Sequence, residues 1–379
     1  MRARGLLASV AVGLSLIAIQ TQAQAEPMDP ALERLVRNPA CHQTSASGGP
    51  GNLGAWNQLA GECMADDVAF KRLVNQYAFA LAPLSIHPAR TTGFSGYELS
   101  IEGAYTSMDK DADYLIHGTE GSPDPNTHRA SYMNKSPDAI AQTYYAKVRK
   151  GFPLGLELAG LLGYMSNTSF MVIGADVSLS LLEGFRRGFM GVLPDIAVGG
   201  GVRTITGTPQ MQLTTVGLDV KISKPFTLGS AAILTPYAGW QMLWIFGDSG
   251  LIDTTPNTDP VRQCGYAGGN VPGTPGTPTE EPVKDPAPGG PYTQPRPYDG
   301  QPVCNGGSPL DFNNTMVFDA VRLKRQRLIA GLNLRYEMVF LGAHYITDLM
   351  SPYKANGNDR DLAGIPKQHT VAFNVGVIF

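Results

Sequence analysis

The chain has 379 residues, including 44 glycines. Charged residues make up 16% of the chain, and its formal net charge is −3. A slightly acidic chain without a basic tract is not expected to bind nucleic acid. After the first 25 residues no stretch is long and uniformly apolar, so hydropathy alone does not separate a soluble secreted protein from a membrane β-barrel.

Residues 1–25 are typical of a secretory signal peptide. Arg2 and Arg4 precede an apolar run from Leu6 to Ile19, and Ala23-Gln24-Ala25 is the small-x-small pattern that a signal peptidase accepts. The apolar run is shorter than the ~20 residues of a spanning helix, which disfavours a membrane anchor. We therefore expect export and cleavage after Ala25.

Residues 26–92 are predicted to form a small N-terminal periplasmic segment. Asp66 and Asp67 precede an apolar stripe at helical spacing, and Pro83 ends it. The stripe comprises Phe70, Leu73, Val74, Tyr77 and Leu81. An amphipathic helix of this kind is expected to pack against the base of a barrel or within its mouth, and a gating plug is the functional alternative.

From Gly93 onward the hydrophobic period changes to two. In the first strand, Tyr97, Leu99 and Ile101 share one face, and polar side chains occupy the other. Nine further segments alternate in the same way: 139–149, 154–165, 170–181, 195–205, 212–223, 234–246, 326–336, 338–349 and 368–379. Each is about as long as the ~9 to 11 residues that a tilted strand needs to cross a membrane.

Residues 93–379 are therefore predicted to form an all-β fold, an antiparallel transmembrane β-barrel of about ten strands. The range of 8–12 strands stays open because Met316 to Lys324 also alternates and could extend the eighth strand or begin another. The predicted connections are mostly short at one end and include all the longest loops at the other, which is the habit of outer-membrane barrels. The end with the longest loops is expected to be extracellular, and the end with the short connections is expected to be periplasmic.

The longest predicted loop, Gly247 to Arg325, is rich in proline and glycine. Thirteen of the 29 prolines of the chain lie between Pro256 and Pro309. Because proline removes hydrogen-bond donors, we expect an extracellular excursion rather than a sheet. We favour the interpretation that this loop is a tolerated insertion over the alternative that it binds an extracellular partner. The sequence does not identify such a partner.

The four cysteines are an even set in an exported chain, so disulfides are expected. Three pairings are possible. The predicted strands favour Cys41 with Cys63 and Cys264 with Cys304, because each pair then lies on one side of the membrane. A metal site is the alternative, but neither pair has C-x-x-C spacing or a set of histidines around it. No cofactor is predicted.

The last ten residues alternate up to a terminal aromatic residue. Val371, Phe373, Val375, Val377 and Phe379 share one face. This ending resembles the C-terminal strand of bacterial outer-membrane barrel proteins, of the porin-like or small-barrel kind, and no closer family is identified. The resemblance covers the last strand only. It implies that Phe373, Val375, Val377 and Phe379 form an insertion signal for the barrel assembly machinery, and that the strands contact outer-membrane lipid.

The faces predicted to point inward carry charges of both signs. They are Glu98, Glu102, Lys147, Arg149, Glu157, Asp176, Asp195, Arg203, Asp219, Lys221, Arg327 and Arg335. Ten strands should enclose a narrow, largely filled lumen. These charges are therefore expected to pair with one another rather than to line a conducting pathway.

Catalytic constellations are sparse. His344 and Asp348 share a face of the ninth predicted strand, but the step of four residues from one to the other is too long for a direct bond. No G-x-S-x-G, H-E-x-x-H or phosphate loop occurs in the sequence. The sequence predicts a non-enzymatic outer-membrane barrel, with a narrow porin-like channel for small solutes weakly favoured. A surface barrel acting through its loops and, less favoured, a barrel hydrolase are the alternatives.

Overall fold

The computed structural model describes residues 25–36, 65–122, 133–184, 193–229, 231–253, 262–266, 302–306, 315–349 and 366–379. Ten long antiparallel strands make up most of this part of the chain. They are β1 (Tyr97–Ser107), β2 (Ile140–Gly151), β3 (Leu156–Met165), β4 (Met171–Leu182), β5 (Asp195–Thr206), β6 (Met211–Ser223), β7 (Ala232–Ser249), β8 (Val321–Tyr336), β9 (Val339–Asp348) and β10 (His369–Ile378).

The ten strands close into a barrel. Each strand pairs with the next along the chain, and β10 pairs back with β1. Leu99 lies opposite Val377 across this seam, and the backbone amide of Tyr97 donates to the carbonyl of Phe379 at 2.8 Å. Closure pairs both sides of every barrel strand, as a sheet in contact with lipid requires. The predicted fold class, an antiparallel barrel of about ten strands, is confirmed.

The alternation along each strand separates an apolar exterior from an interior rich in polar groups. Ile101, Leu218 and Val375 project outward and are 65%, 53% and 49% exposed, whereas Glu102 is 1% exposed and faces the lumen. A barrel with an apolar exterior and a polar interior is the architecture of transmembrane β-barrels.

An aromatic belt encircles part of the exterior. Phe373, Tyr105, Tyr144 and Tyr164 stand side by side on the neighbouring strands β10, β1, β2 and β3, with ring centroids 5.5–6.5 Å apart. Amphipathic rings of this kind sit where the hydrocarbon layer meets the headgroups.

The two ends of the barrel differ in their connections. We call the end with the connections 152–155, 183–194, 224–231 and 337–338 the turn end. The end with the connections 108–139, 166–170, 207–210, 250–320 and 349–368 is the loop end. The turn end holds the 3-10 helix Pro153–Gly155 and the short strand Phe226–Leu228, which pairs with β7. The loop end holds the helix α2 (Asp113–Gly118) and two short ribbons, one pairing Ile252–Asp253 with Thr315–Met316 and the other Arg262–Tyr266 with Pro302–Gly306.

The helix α1 (Asp67–Leu81) forms where the apolar stripe predicts it. Asp66 caps its N-terminus, because its carboxylate accepts hydrogen bonds from the amides of Val68 and Ala69 at 3.1 and 3.0 Å. The helix lies inside the lumen, where its buried residues pack against inward residues of the strands, rather than against the base of the barrel, which was one of the two positions expected from the sequence. Within the described residues, no helix is both long and apolar enough to cross a membrane.

Several predictions fall on residues outside the described ranges. Ala23 lies outside them while Ala25 lies inside, so cleavage of the signal peptide stays a prediction, as does the pairing of Cys41 with Cys63, which also lie outside. The backbone register of the second ribbon places Cys264 directly opposite Cys304. Their disulfide also stays a prediction.

Candidate functional site

The lumen is the candidate site, because the chain itself runs through it. We call residues 65–92 the plug. At the loop end, the ring of Phe70 stacks on Phe318 with centroids 4.7 Å apart. At the turn end, the amide of Thr92 donates to the carboxylate of Glu157 at 3.0 Å. The plug therefore spans the lumen from the loop end to the turn end, where β1 then begins at Tyr97.

The half of the lumen nearer the loop end is apolar. The buried side chains of α1 pack there against inward residues of the strands, with Tyr77 and Phe170 edge to face at 5.4 Å. The wall on this side includes Met165, Val172, Met211, Leu213, Leu243, Ile245, Val321 and Leu323. Burying a large apolar side chain stabilises by about 1.5–3 kcal/mol, and α1 buries several. This half of the lumen is a hydrophobic core.

Residues 26–36, the N-terminal cap, cover the loop end of this core. The cap includes the 3-10 helix Leu32–Arg34. The carboxylate of Asp29 accepts from the amide and hydroxyl of Ser169 at 2.6 and 2.5 Å. The amide of Leu32 donates to the side chain of Gln210 at 2.8 Å. Beneath the cap, the hydroxyl of Tyr77 donates to the carbonyl of Met28 at 2.6 Å.

Two arginines on β8 fasten α1 to the wall. Arg325 is 1% exposed and donates to the side-chain oxygens of Asn75 and Gln368, each at 2.8 Å. The same guanidinium pairs with the carboxylate of Asp348. Arg325 thus joins the helix to strands β8, β9 and the residue that precedes β10.

Arg327 binds the other end of α1. Its guanidinium donates to the carbonyls of Phe79 and Pro83 at 3.3 and 2.6 Å, and to the side-chain oxygen of Gln241. The last carbonyls of a helix lack intrahelical partners and carry partial negative charge. Arg327 supplies them with donors from the wall. Its hydrogen-bond partners are neutral oxygens, which differs from the charge pairing expected from the sequence.

The half of the lumen nearer the turn end is polar and contains ion pairs. Arg149 binds Glu98 at 2.6 Å and Glu157 at 2.5 Å. Arg149 therefore joins the strands β1 and β3 through two carboxylates inside the polar half.

A second group of ion pairs lies beside the first. Lys147 lies 3.2 Å from Glu102 and 3.3 Å from Asp176, and Arg203 binds Asp176 at 2.6 Å. Lys221 lies 3.5 Å from Asp219. All of these groups were assigned to the interior from the sequence, and the structure places them there in mutual contact.

The plug continues through the polar half in extended form. The hydroxyl of Ser85 donates to Asp219 at 2.7 Å, and the amide of Ala89 donates to the hydroxyl of Ser223 at 3.0 Å. The ring of His87 lies 2.9 Å from the ammonium of Lys221. Burial, followed by the positive charges of Arg149, Lys221 and Lys147, holds the pKa of His87 well below its usual value. His87 is therefore neutral and accepts a hydrogen bond from Lys221.

A cavity of about 240 Å³ remains at the turn end. Its lining includes His87, Arg90, Glu98, Asp195 and Arg335. Arg335 is half-buried there and donates to the carbonyl of Glu337 at 2.8 Å.

The histidine weighed as a catalytic candidate lies apart from its acid. Nδ1 of His344 lies 3.0 Å from the hydroxyl of Tyr237, whereas Asp348 is held by Arg325. Among the described residues, no group of three or more histidine, cysteine, aspartate and glutamate side chains could hold a metal ion.

The residues of the proposed insertion signal share the outer face of β10 and the chain end. Phe373, Val375 and Phe379 are exposed on the exterior, and Val377 is half-buried beside them. These side chains form part of the apolar exterior.

The sequence reasoning missed the groups that hold the plug. Asn75, Gln241, Arg325 and Gln368 were not assigned to a site. A signal was present, because no aspartate, glutamate, lysine or arginine occurs between Arg72 and Arg90. The part of α1 that follows Arg72 therefore carries no charged side chain on any face, which is typical of a segment buried on all sides.

Comparison with known proteins finds no matching protein-family model and no matching curated protein. Three solved structures illustrate the likenesses. The attachment invasion locus protein Ail of Yersinia pestis, in complex with the heparin analogue sucrose octasulfate, is 9% identical over 76% of this chain and 100% of its own, with a TM-score of 0.22. Acinetobacter baumannii outer membrane protein Omp33 is 8% identical over 75% and 98%, with a TM-score of 0.24. The translocator domain of the Neisseria meningitidis autotransporter NalP is 10% identical over 76% and 88%, with a TM-score of 0.26.

Proposed function

We propose that the protein is a non-enzymatic integral barrel of a bacterial outer membrane, and that its own N-terminal segment keeps its lumen closed. The observation that carries this proposal is the passage of the plug through the whole lumen, with α1 packed as a hydrophobic core in one half. A lumen filled in this way does not serve as an open porin.

The barrel itself supports the membrane location. Its closure, its apolar exterior and its aromatic belt are the features that lipid demands of a spanning sheet. On this proposal, outer-membrane lipid covers the outward residues, and the barrel assembly machinery reads the alternating ending at Phe379.

Closure by the plug has an energetic basis. Opening the lumen would expose the apolar faces of α1 and the wall to water, and would separate Arg325 from Asn75 and Arg327 from the carbonyl of Pro83. Exchanging each of these hydrogen bonds for bonds to water costs about 0.5–1.5 kcal/mol, in addition to the cost of exposing the apolar surface. The closed state is therefore the resting state. On this proposal, the barrel anchors the connections of the loop end in the membrane.

Single-channel recording tests the proposal. The mature chain is refolded, its folded barrel is verified by heat-modifiable gel mobility, and it is inserted into a planar bilayer. We expect folded protein and no stable current steps. Stable steps from the wild-type chain would contradict closure and favour the narrow channel. Hydrolysis of lipid or peptide by the same preparation, absent from an unfolded sample, would contradict the non-enzymatic assignment.

A further inference from the structure

The cavity at the turn end lies between the plug and the wall of the barrel. Its volume of about 240 Å³ is far above the ~10–15 Å³ that one water molecule requires, so it has room for a small molecule. Some of its lining groups already have partners inside the protein, since Arg149 binds Glu98 and His87 faces Lys221. The other charged groups of the lining decide what the cavity can bind.

Carboxylates outnumber basic groups on one side of the cavity, where the chain passes from β4 to β5. Glu183 accepts hydrogen bonds from the amide and the hydroxyl of Thr91 at 2.9 and 3.0 Å, and neither donor carries a charge. Asp195 is 6% exposed, and one of its oxygens accepts from the amide of Gly184 at 3.1 Å. The other oxygen of Asp195 has no hydrogen-bond partner among the described residues. Arg90 of the plug also lies here, with Nη2 4.0 Å from the position of a Cβ atom at Gly184.

Arg335 carries a positive charge on another side of the cavity. It belongs to β8, which β6 and β7 separate from β5 in the barrel. Within the described part of the chain its one hydrogen bond runs from Nε to the carbonyl of Glu337, so both terminal amino groups of the guanidinium can bind a ligand. A guanidinium binds a carboxylate through two parallel hydrogen bonds.

Apolar side chains flank Arg335. Ile233 on β7 and Phe340 on β9 lie directly opposite it in register, and both line the cavity. Ile378 near the chain end lines it as well. A ligand that binds Arg335 through a carboxylate therefore meets apolar surface beside that group.

We propose that this cavity binds a small zwitterion, namely a free amino acid with an apolar side chain. The carboxylate of the ligand binds Arg335, and its ammonium group binds the side of Asp195 and Glu183. Its side chain packs on Ile233 and Phe340. A zwitterion supplies a partner to both sides at once, whereas an anion or a cation of the same size leaves one side without a counter-charge.

The bound ligand joins the plug to the wall, because His87, Arg90 and Thr92 line the same cavity as the strand residues. A ligand that binds the folded and not the unfolded chain raises the free energy of unfolding. The amino acid should therefore hold the plug in place. This site goes beyond the closed barrel proposed above and requires no conduction.

Isothermal titration of the refolded mature chain with L-leucine tests the proposal, after heat-modifiable mobility has verified the folded barrel. Two analogues are the matched probes, since 4-methylpentanoate lacks the ammonium group and 3-methylbutylamine lacks the carboxylate. We expect leucine to bind at least about tenfold more tightly than either analogue, because each analogue leaves one charged side of the cavity unpaired. Leucine should also raise the midpoint of urea unfolding.

Two substitutions assign the ends of the ligand. Asp195→Asn keeps an oxygen for the amide of Gly184 but removes the charge, so leucine should lose its advantage over 4-methylpentanoate and keep its advantage over 3-methylbutylamine. Arg335→Gln should have the converse effect. Arg322→Gln is the control, because Arg322 lies on the same strand with its side chain 51% exposed and should leave leucine binding unchanged.

A folded wild-type barrel that binds neither leucine nor any other apolar amino acid would overturn the proposal. Equal affinities of the wild type for leucine and 4-methylpentanoate would also overturn it, because the acidic side would then take no part in binding. These comparisons need no variant, so they decide even where a variant does not fold. The proposed closed barrel predicts silent bilayer recordings with or without leucine, so failure of the site would leave that proposal standing.

Discussion

The guanidinium of Arg325 lies on the ring of Phe79, with its central carbon 4.3 Å from the ring centroid. Arg325 belongs to the barrel wall and Phe79 to α1, so this contact joins the plug to β8. A cation–π contact that is shielded from water is worth about 2 kcal/mol. Since Arg325 also binds Asn75 and Asp348, the plug and the wall should unfold as one unit.

Replacing Arg325 tests this coupling. In Arg325→Met, the carboxylate of Asp348 stays buried without its charge partner, so we expect the free energy of unfolding to fall by about 3–5 kcal/mol. The double variant Arg325→Met/Asp348→Asn should recover part of this loss, because it removes the unpaired charge. Urea unfolding in lipid vesicles measures both.

Arg322→Met is the matched control on the same strand. Arg322 pairs with Asp248 at 3.0 Å, but the two side chains are 51% and 45% exposed, so we expect a loss of under about 1 kcal/mol. Equal losses in Arg322→Met and Arg325→Met would show that β8, rather than its contact with the plug, is sensitive to substitution.

Leu73→Ala tests the hydrophobic core inside the barrel. Leu73 is fully buried among the apolar residues of the lumen, so its truncation should leave a cavity and cost about 2–5 kcal/mol. Leu332→Ala, on the lipid-facing side of β8, should cost less because Leu332 is 45% exposed on the exterior. Urea unfolding compares the two. A smaller loss for Leu73→Ala than for Leu332→Ala would argue against the packing of α1 in the lumen.

The pH dependence should involve His87. Its pKa is lowered by burial and by Arg149, Lys221 and Lys147, so the folded protein holds it neutral while the unfolded chain takes up a proton near pH 6.5. The stabilisation is complete above pH 6.5 and declines below it, by up to about 1.4 kcal/mol per pH unit. We expect His87→Gln to have a shallower decline between pH 6.5 and 5 in urea unfolding. An unchanged slope would exclude His87 as the cause.

The pairing of Cys264 with Cys304 is tested by mass spectrometry. The register of the ribbon places the two residues opposite each other, so a non-reduced digest should contain one linked peptide with both cysteines. Cys264→Ser/Cys304→Ser should keep heat-modifiable mobility, because the ribbon lies outside the ten barrel strands. Two free thiols at these positions in the oxidised, exported protein would refute the pairing.

The strands of the barrel were readable from the sequence because their signal is local. β6 runs from Met211 to Ser223, within one residue of the predicted 212–223. β8 instead begins at Val321, five residues earlier than predicted. Its first six residues pair with β7 and not with β9, whose pairing starts at Arg327. The segment Met316 to Lys324, whose alternation left the strand count open, contributes its last four residues to β8, in the part that pairs only with β7.

The filling of the lumen could not be derived in the same way. The inward charges were identifiable by period, but an apolar stripe on α1 fits the base of a barrel as well as its interior. The position of α1 inside the lumen is fixed by long-range contacts, such as the hydrogen bonds between Gln76 and Tyr114 at 2.5 Å and between Gln241 and Pro83 at 3.2 Å. Pairs of this kind leave no periodic trace in one sequence.

Engineered cross-linking tests most directly whether the plug lies in the lumen. A Cβ atom at Gly247 on β7 would lie 2.5 Å from Cγ1 of Val74 on α1, so Val74→Cys/Gly247→Cys places two thiols within disulfide reach. The variant is made in a background with the four native cysteines replaced by serine. Val74→Cys/Phe246→Cys is the control, because Phe246 faces outward. We predict a cross-link, seen as altered mobility on non-reducing gels, in the first variant alone. A folded barrel without the cross-link in the first variant would contradict an occupied lumen.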